Sequence, residues 1–487
     1  MKRRKFLTLS LTTATLLLAG CGSGSNNGDS MSSMMSSNSS DLSSVSVPDF
    51  NSKLVIPPLL EGVDVNGVLN FDLNIQKGIT SFFEGTTTNT FGINGNFLGS
   101  TLRVKNGDNI SINFTNYLDE DTTMHSHGMH LPAVMDGGVH QIIKPNNSWS
   151  SKYTVKQKAC TNWYHPHLMG KTAKHVYKGL AGMIIVEDED SISLDIPKTY
   201  GVDDIPLIFQ DRFFDANYEF DYSPSMMEIM RGYNGDVFLL NGKINPYIEL
   251  QAKEVRFRLL NGSNSTVYDL GFDDFRSFKQ IATDNSFLEK PVDITRVKLS
   301  PGERAEIVVN FSNEQDKTLY IKDFTQDKEF LKIDIIDIKM QQTTTPDTLT
   351  SLQKFTQNDA TNKREFVLSG NMNGFYINGV SMDKDVINEI IPLNQVEIWE
   401  VTNDMMLNHN FHIHATHFMI LERNSNEFDV EENEKGYKDT VLIPPNESVT
   451  LIVKMTDYKD NINPYMYHCH FLEHEDAGMM GQFVVTT

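Results

Sequence analysis

The residues best suited to chemistry in this chain are histidines that recur two positions apart. Of 14 His in 487 residues, eight form four His-x-His pairs, in the segments HSHG, YHPH, FHIH and HCH. The paired residues are His125 and His127, His165 and His167, His412 and His414, and His468 and His470. Imidazole is a ligand for copper, zinc, iron and nickel. Eight imidazoles exceed the about four to six ligands of one ion. The pairs therefore predict a site for several ions, such as three coppers with two or three imidazoles each.

The alternation of side chains along a β-strand separates a second site from the first. Residues i and i+2 share one face of a strand, and the residue between them faces the other way. In HNFHIH, His409 is an odd number of positions from the paired histidines, and in YHCHF, Cys469 lies between them. His409 and Cys469 can therefore meet on the side opposite to the paired histidines.

Two further residues complete the set around this cysteine. His474 and Met479 follow Cys469 by five and ten residues, across a short loop. Two His, one Cys and a weak axial Met form a blue-copper electron-transfer site. The sequence therefore predicts an electron entry site made of His409, Cys469, His474 and Met479. A thiolate that binds copper is not available for a disulfide, and we interpret Cys160 as a buried apolar thiol.

The elements that must position these residues are short β-strands. Segments such as GDNISINFTNYL, KEVRFRLLNGSN and ESVTLIVKM alternate or run apolar, with Gly, Asn, Asp and Pro between them. This pattern predicts an all-β chain of three Greek-key β-sandwich or barrel domains, at residues 48–192, 200–340 and 362–487. The middle range contains no histidine. The unpaired His130, His140, His175 and His417 are expected to be packed or solvated side chains without a metal role.

The charge of the chain limits its partners. The formal net charge is −22, and 39% of the residues are hydrophobic. Such an acidic protein repels nucleic acid and anionic lipid, and it favours small cations as ligands. The composition is typical of a soluble globular protein. We therefore expect no nucleic-acid partner.

The first 21 residues have the features of an export signal. Basic residues precede an apolar run that is too short to span a bilayer. Arg3-Arg4 resembles a twin-arginine signal, and Leu18-Ala19-Gly20-Cys21 resembles a lipoprotein box. An ordinary cleaved secretory signal is the alternative. Residues 22–47 are rich in Ser and Asn and predict a flexible linker. We expect export to the periplasm, with a membrane attachment only through a lipid on Cys21.

The histidine segments and their neighbours resemble the multicopper oxidases. The motifs HSHGMHLPAVMDGG, WYHPHLMGKTAKHVYKGLAGMIIVEDED, LSPGERAEIVV, DMMLNHNFHIHATHF and MYHCHFLEHEDAGMM are similar to those of bacterial periplasmic cuprous oxidases. The resemblance covers about residue 48 to the end. It implies three cupredoxin domains, four copper ions and a trinuclear cluster between the first and third domains.

The resemblance also implies a role for each ligand. His409, Cys469, His474 and Met479 would hold the type 1 copper, and His125 and His412 the type 2 copper. His127, His165 and His470 would hold one type 3 copper, and His167, His414 and His468 the other. Every ligand position of the family is present. The spacers depart from the family: Asn408 is an insertion, Asn410 replaces the usual Pro, and Ala415 replaces the usual Gly.

Two acidic residues match positions that the family uses to deliver protons. They are Glu475, next to His474, and Asp136 in the segment MDGG. Each can instead be a turn or cap carboxylate. In the functional interpretation, both act as acid–base groups during O₂ reduction and neither is a copper ligand.

The reductant is predicted from sulfur and carboxylate side chains near the electron entry site. Asp404, Met405 and Met406 resemble the family's residues for substrate copper, although this chain lacks the family's Met-rich insertion. Met226 and Met230 are a weaker second group, four positions apart. We therefore predict a monomeric enzyme that oxidises Cu(I) with O₂, in copper homeostasis. Fe(II) and phenols, as in a ferroxidase or a laccase-like enzyme, are the alternative reductants.

Proteins of other kinds are the alternatives to an oxidase that the sequence leaves open. A non-catalytic copper carrier or sequestering lipoprotein would bind copper without consuming O₂. A cupredoxin scaffold that has lost its metals, as in some cell-division relatives, would not need the complete donor set. A copper nitrite reductase needs fewer histidines.

Overall fold

Short β-strands joined by tight turns make up most of the chain. The computed structural model describes residues 46–251, 253–336 and 343–487. The predicted export signal, Cys21 and nearly all of the 22–47 linker lie outside the described residues. The expectation of an all-β protein is confirmed, since strands form six sheets.

Local sequence patterns explain why these segments are strands. In the strand Asn109–Asn116, the side chains of Ile110, Ile112 and Phe114 are buried, whereas Asn113 and Thr115 are only partly so. This alternation places one apolar face on a core, as the period of two requires. Left-handed residues close many of the turns, for example Asn66 and Gly67 in the hairpin between Val63–Val65 and Val68–Thr80.

Two five-stranded sheets use residues from the first third of the chain. One has the order Leu59–Leu60, Thr101–Lys105, Gly182–Glu187, Cys160–His165 and His125–His127. The other has the order Val63–Val65, Val68–Thr80, Asn109–Asn116 and Ser148–Thr154, with Thr88–Ile93 paired to Val68–Thr80. Both paired-histidine segments of this region therefore reach the same sheet.

The middle third forms a six-stranded and an eight-stranded sheet. The first has the order Ser52–Lys53, Pro246–Gln251, Lys328–Ile336, Thr318–Asp323, Tyr268–Phe272 and Arg296–Leu299. The second has the order Lys243–Ile244, Val237–Leu240, Asp204–Phe214, Glu254–Asn261, Arg304–Asn310, Phe278–Ala282 and Phe287–Ile294, with Phe220–Asp221 paired to Asp204–Phe214. The early strand Ser52–Lys53 thus joins a sheet of the middle third.

The last third contributes two more five-stranded sheets. One has the order Gly374–Ile377, Asn362–Asn371, Val396–Asn403, Ser448–Lys454 and Phe418–Arg423. The other has the order Glu389–Pro392, Met480–Thr486, Asp460–His468, His409–Ile413 and Thr440–Ile443. The sheets thus fall largely into three sequence ranges, but the described residues lie in one compact unit. The exact domain boundaries stay a prediction.

Helices are few and short. They are α1 (Thr172–Lys178), α2 (Glu189–Ser193), α3 (Met226–Arg231) and α4 (Leu472–Asp476), with 3-10 turns at Ala133–Met135, Gln357–Asp359, Glu427–Asp429 and Glu432–Glu434. Within the described ranges, none of these helices has the length and apolar character needed to cross a membrane.

Strand pairing brings the histidine segments together. His125 is opposite His165 in one sheet, and His412 is opposite His468 in another. A single hydrophobic core joins the two regions, with Phe114 and Tyr164 from the first third and Trp399 from the last. The fold therefore holds all four histidine pairs around one buried place, as the strand pattern predicted.

Candidate metal centre

The structure brings together the donors predicted for the electron entry site. Nδ1 of His409 lies 3.4 Å from the sulfur of Cys469, and Nδ1 of His474 lies 3.9 Å from the same sulfur. All three are fully buried, as is Met479. The backbone N–H of Cys469 donates to the carbonyl of Met479 at 3.1 Å, which fixes the two segments side by side.

The local chain path explains this arrangement. Cys469 follows the end of the strand Asp460–His468, and α4 then carries His474 back over the sulfur. Gly478 has a φ of 99°, a left-handed conformation that suits glycine and lets the chain reverse into the strand Met480–Thr486.

Contacts around His474 set the direction of its ring. Its Nε2–H donates to the carbonyl of Ile229, in α3, at 2.9 Å. This bond leaves the Nδ1 lone pair facing the cysteine. The ring of Phe375 stacks on the imidazole with centroids 4.2 Å apart.

Asn410 stands where the family usually has Pro. Its side chain contacts both the cysteine of this site and the backbone of a paired histidine. Its Oδ1 accepts from the backbone N–H of His470 at 2.6 Å and lies 3.6 Å from the sulfur of Cys469. Its Nδ2 donates to the carbonyl of Pro301 at 2.8 Å. The substitution thus supplies hydrogen bonds that a proline side chain cannot make.

Six of the eight paired histidines form two groups of three behind the cysteine. Nε2 of His468 lies 3.1 Å from Nε2 of His167 and 3.0 Å from Nε2 of His414. Nε2 of His165 lies 3.4 Å from Nδ1 of His127 and 3.4 Å from Nε2 of His470. These are the two trios predicted for the type 3 pair.

The remaining two paired histidines lie beside these trios. The ring of His125 stacks on His414 with centroids 4.0 Å apart, and His412 stacks on His127 at 3.8 Å. Nε2 of His125 and Nε2 of His412 are buried without a hydrogen-bond partner among the described residues. Both therefore offer a free nitrogen to a common ligand.

The donor chemistry fits metal ions. Burial lowers the pKa of His165, His167 and His468 well below the usual value, so their rings are neutral and present lone pairs. Neutral nitrogens about 3 Å apart and buried nitrogens without partners are costly unless a cation lies between them. Imidazole nitrogens with one thiolate and one thioether suit copper.

Glu475 lies against this cluster with unsatisfied oxygens. Its Oε1 is 3.5 Å from Nδ1 of His167 and its Oε2 is 3.4 Å from Nδ1 of His468. Both oxygens are buried and lack a hydrogen-bond partner in the described part of the chain. Burial raises the pKa of Glu475 well above its usual value, which favours the protonated acid.

Asp136 lies on another side of the cluster and is ionised. Its Oδ2 accepts from Nδ1 of His414 at 2.7 Å, and its carbonyl accepts from Nδ1 of His125 at 2.8 Å. Burial alone would raise the pKa of Asp136, but His414 and His125 lower it below its usual range. The surroundings therefore shift the pKa values of the two predicted acidic residues in opposite directions.

Two site residues escaped the sequence interpretation. Oδ1 of Asp439 accepts from Nε2 of His127 at 2.9 Å, and its carbonyl accepts from Nδ1 of His412 at 2.8 Å. The Arg304 guanidinium donates to both oxygens of Asp439, at 2.7 Å each. The only sequence signal for Arg304 was its place in the LSPGERAEIVV motif. Asp439 orients two ligands, and Arg304 holds Asp439.

The residues predicted to bind the reductant differ in their exposure to solvent. Met406 is 78% exposed and Asp404 is exposed, whereas Met405 is only 8% exposed and packs near Gly370 and Phe375. In α3, Met226 is exposed, and Met230 packs partly against the core. The structure therefore singles out Met406 rather than Met405 as the accessible sulfur in the segment that precedes His409.

The two cysteines in the described ranges are free thiols. Cys160 is buried in the apolar core, as predicted, and burial raises the pKa of its thiol. The other is Cys469. Neither forms a disulfide, so Cys469 is available as a donor.

The fold and site define a class: an all-β, cupredoxin-like protein with a buried cysteine–histidine centre beside a histidine cluster. Multicopper oxidase family models match residues 74–191, 230–337 and 344–487. The chain belongs to the multicopper oxidase family and is an oxidoreductase with copper cofactors.

Similar proteins are known in several bacteria. A multicopper oxidase of Staphylococcus aureus is 37% identical over 427 residues, which cover 87% of this chain and 90% of that protein. The cell division protein FtsP of Xenorhabdus nematophila is 35% identical over 449 residues, with 89% and 92% covered. The crystal structure of a laccase from Pediococcus acidilactici has a TM-score of 0.84 and 33% identity, and covers 91% of this chain and 95% of the laccase.

Proposed function

We propose that this enzyme oxidises Cu(I) in four one-electron steps and reduces O₂ to two waters, in copper detoxification. Four copper ions, when bound, supply the one-electron chemistry that O₂ reduction requires. The proposed ligands are those implied by the family motifs. They are His409, Cys469, His474 and Met479 for type 1, His125 and His412 for type 2, and His127, His165, His470, His167, His414 and His468 for type 3.

The chain links the two sites directly. Cys469 lies between His468 and His470 in sequence, and the three residues face two different sites. One tripeptide thus connects the electron entry site to both histidine trios through covalent bonds.

Glu475 and Asp136 are the proposed proton-handling residues. Glu475 holds a proton on a carboxyl group about 3.5 Å from ring nitrogens of two histidines of the cluster. Asp136 carries a negative charge that fixes the ring of His414 and stabilises positive charge nearby. Each supports acid–base chemistry beside bound O₂ without being a ligand.

The burial of His474 is the observation that favours Cu(I) over a phenol as the substrate. His474 is 1% exposed, and its outward Nε2 is bonded to Ile229 of α3. An organic substrate therefore has no open edge of this imidazole to contact. Exposed sulfur and carboxylate groups, at Met406 and Asp404, offer soft and anionic ligands to a small cation instead.

Laccase-like phenol oxidation and ferroxidase activity remain the alternatives with the same centre. The structural neighbour from P. acidilactici is described as a laccase. The complete donor set also supports an oxidase over a non-catalytic copper-sequestering lipoprotein, which needs no cluster of neutral imidazoles.

O₂ uptake measured side by side with Cu(I), Fe(II) and a phenol tests the proposal. We expect about four coppers per chain and the highest kcat/KM with Cu(I), because the exposed Met406 and Asp404 offer a soft and an anionic ligand to that ion whereas the buried His474 offers no contact to a phenol. The variant Met406→Ala is expected to raise KM for Cu(I), while Ile462→Ala, at a residue 77% exposed and outside α3, is the control for loss of an exposed apolar side chain. One or two coppers per chain, or a phenol preference, would contradict it.

We also propose that the protein acts in the periplasm, exported by the twin-arginine route, lipid-anchored at Cys21 and monomeric. The support is the sequence of residues 1–21. Cell fractionation of Cys21→Ser against the wild type tests the anchor: the variant should move from the membrane to the soluble exported fraction. An unchanged distribution would argue against the lipid.

A further inference from the structure

A cavity of about 610 Å³ lies away from the electron entry site, beside the strands Phe418–Arg423 and Ser448–Lys454. One wall is apolar and includes Phe355, Met419 and Ile452. The lining also holds three lysines and a single acidic residue, Asp457. Two of these lysines already pair with carboxylates, at 3.6 and 3.3 Å, so Lys454 is the one left to attract an anion.

Several polar groups of the lining have no partner. Lys454 lies over the ring of Phe355, with Nζ 5.2 Å from the centroid, and forms no ion pair with any described carboxylate. Asn285 is 1% exposed, and its Oδ1 lacks a hydrogen-bond partner among the described residues. The buried amide oxygen is costly to leave unsatisfied, and the half-buried ammonium group of Lys454 is available to pair with an anion.

A hydrogen-bonded chain of three side chains stiffens the cavity. Oδ2 of Asp457 is 3.1 Å from Nδ1 of His130, and Nε2 of His130 is 3.1 Å from Nδ1 of His417. The ring of Tyr437 stacks on His417 with centroids 3.9 Å apart. The facing imidazole nitrogens are thus already joined to each other. These nitrogens are therefore not available to a metal cation, and the ammonium group of Lys454 would repel one.

We propose that this cavity binds a small aromatic carboxylate. The carboxylate would pair with the ammonium group of Lys454, and the ring would pack against the apolar wall of Phe355, Met419 and Ile452. A mostly apolar pocket with a few placed polar groups is the usual form of a small-molecule site. The volume accommodates a substituted single ring, and a charge-assisted contact would fix its orientation.

The cavity touches the backbone that carries the copper ligands. The side-chain amides of Gln157 and Asn285, which line it, donate to the carbonyl of Gly128 at 2.9 and 3.0 Å. Gly128 directly follows His127. The site is nevertheless separate from the substrate-copper residues, so its existence does not depend on which reductant the enzyme uses.

Calorimetric titration of the copper-loaded enzyme with benzoate tests the site. Lys454→Met is expected to weaken benzoate binding about tenfold or more, since one charge-assisted contact is lost. Lys384→Met, at an exposed lysine outside the cavity, should leave the affinity unchanged. Benzyl alcohol, which has the ring without the charge, should bind more weakly than benzoate.

Equal benzoate affinity in both lysine variants would overturn the proposal, because the anion would then bind elsewhere, for instance at copper. Equal binding of benzyl alcohol would also overturn the carboxylate class. If Lys454→Met fails to fold, a crystal of the wild type soaked in 4-bromobenzoate decides the question. Anomalous bromine density in the cavity supports the site, and density only elsewhere rejects it.

Discussion

At the level of single residues, two carboxyl groups beside the same cluster have opposite surroundings. Asp136 accepts a hydrogen bond from His414 and stays ionised, whereas Glu475 is buried without a partner among the described residues and stays protonated. Carboxyl groups whose environments separate their pKa values in this way can take different acid–base roles. Glu475 therefore holds the available proton, and Asp136 the stabilising charge.

Replacing Glu475 tests whether this residue supplies the proton while Asp136 supplies the stabilising charge. Glu475→Gln keeps the shape but removes the acidic proton, so we expect O₂ turnover to fall about a hundredfold or more with copper content unchanged. Copper analysis and O₂ uptake measure the two quantities.

Glu473→Gln is the matched control for that variant. Glu473 is a buried carboxyl in the same helix, and it accepts from Asn264 and Ser265 rather than facing the cluster. It should retain most of the turnover. Wild-type turnover in Glu475→Gln would show that the carboxyl is structural.

At the level of elements, α3 determines what can approach the electron entry site. This helix has only six residues, so it depends on its cap and its packing, because short helices are unstable in isolation. Ser225 caps it: the Ser225 hydroxyl accepts from the backbone N–H of Glu228, and Glu228 accepts from the backbone of Ser225. The carbonyl of Ile229 then covers His474.

Loosening α3 should change substrate preference. Ser225→Ala removes a cap worth about 1 kcal/mol, which raises the population with an uncovered His474 about fivefold. We expect phenol oxidation to increase relative to Cu(I) oxidation, measured as the ratio of kcat/KM values.

Removal of the N-cap of α2 provides the control. Asp188→Ala removes the N-cap of a helix that does not contact His474, and it should leave the ratio unchanged. A ratio that stays constant in Ser225→Ala as well would mean that α3 does not limit access.

At the level of the whole molecule, a buried arginine holds the cluster from the middle third of the chain. Arg304 is fully buried and donates to the carbonyl of Thr161, to Oδ1 of Asn162 and to Asp439. These partners belong to the first and last thirds. A region without histidine thus contributes to the metal centre through Asp439, which orients His127.

Removing this arginine should destabilise the fold and the cluster together. Arg304→Met leaves the Asp439 carboxylate buried and unpaired, which costs about 3–5 kcal/mol. Denaturant unfolding of the copper-free protein measures the loss, and copper analysis should show fewer ions in the histidine cluster.

Lys77→Met gives the comparison, because Lys77 forms an exposed pair with Asp119. Its effect should stay within about 0.5 kcal/mol. If Arg304→Met is no more destabilising than this variant, the buried pair does not hold the three regions together.

The sequence by itself determined the donor types, their spacing and their division into two sites, because strand alternation is a local rule. It also determined the all-β class, since alternating apolar residues and turn residues are local. Only the tertiary structure decided which side chains from distant segments meet. It joined Arg304 to Asp439, placed Ile229 over His474, buried Met405 while exposing Met406, and formed a cavity with one unpaired lysine in an acidic protein. These contacts depend on how separate sheets pack, and such packing leaves no periodic signal in the chain.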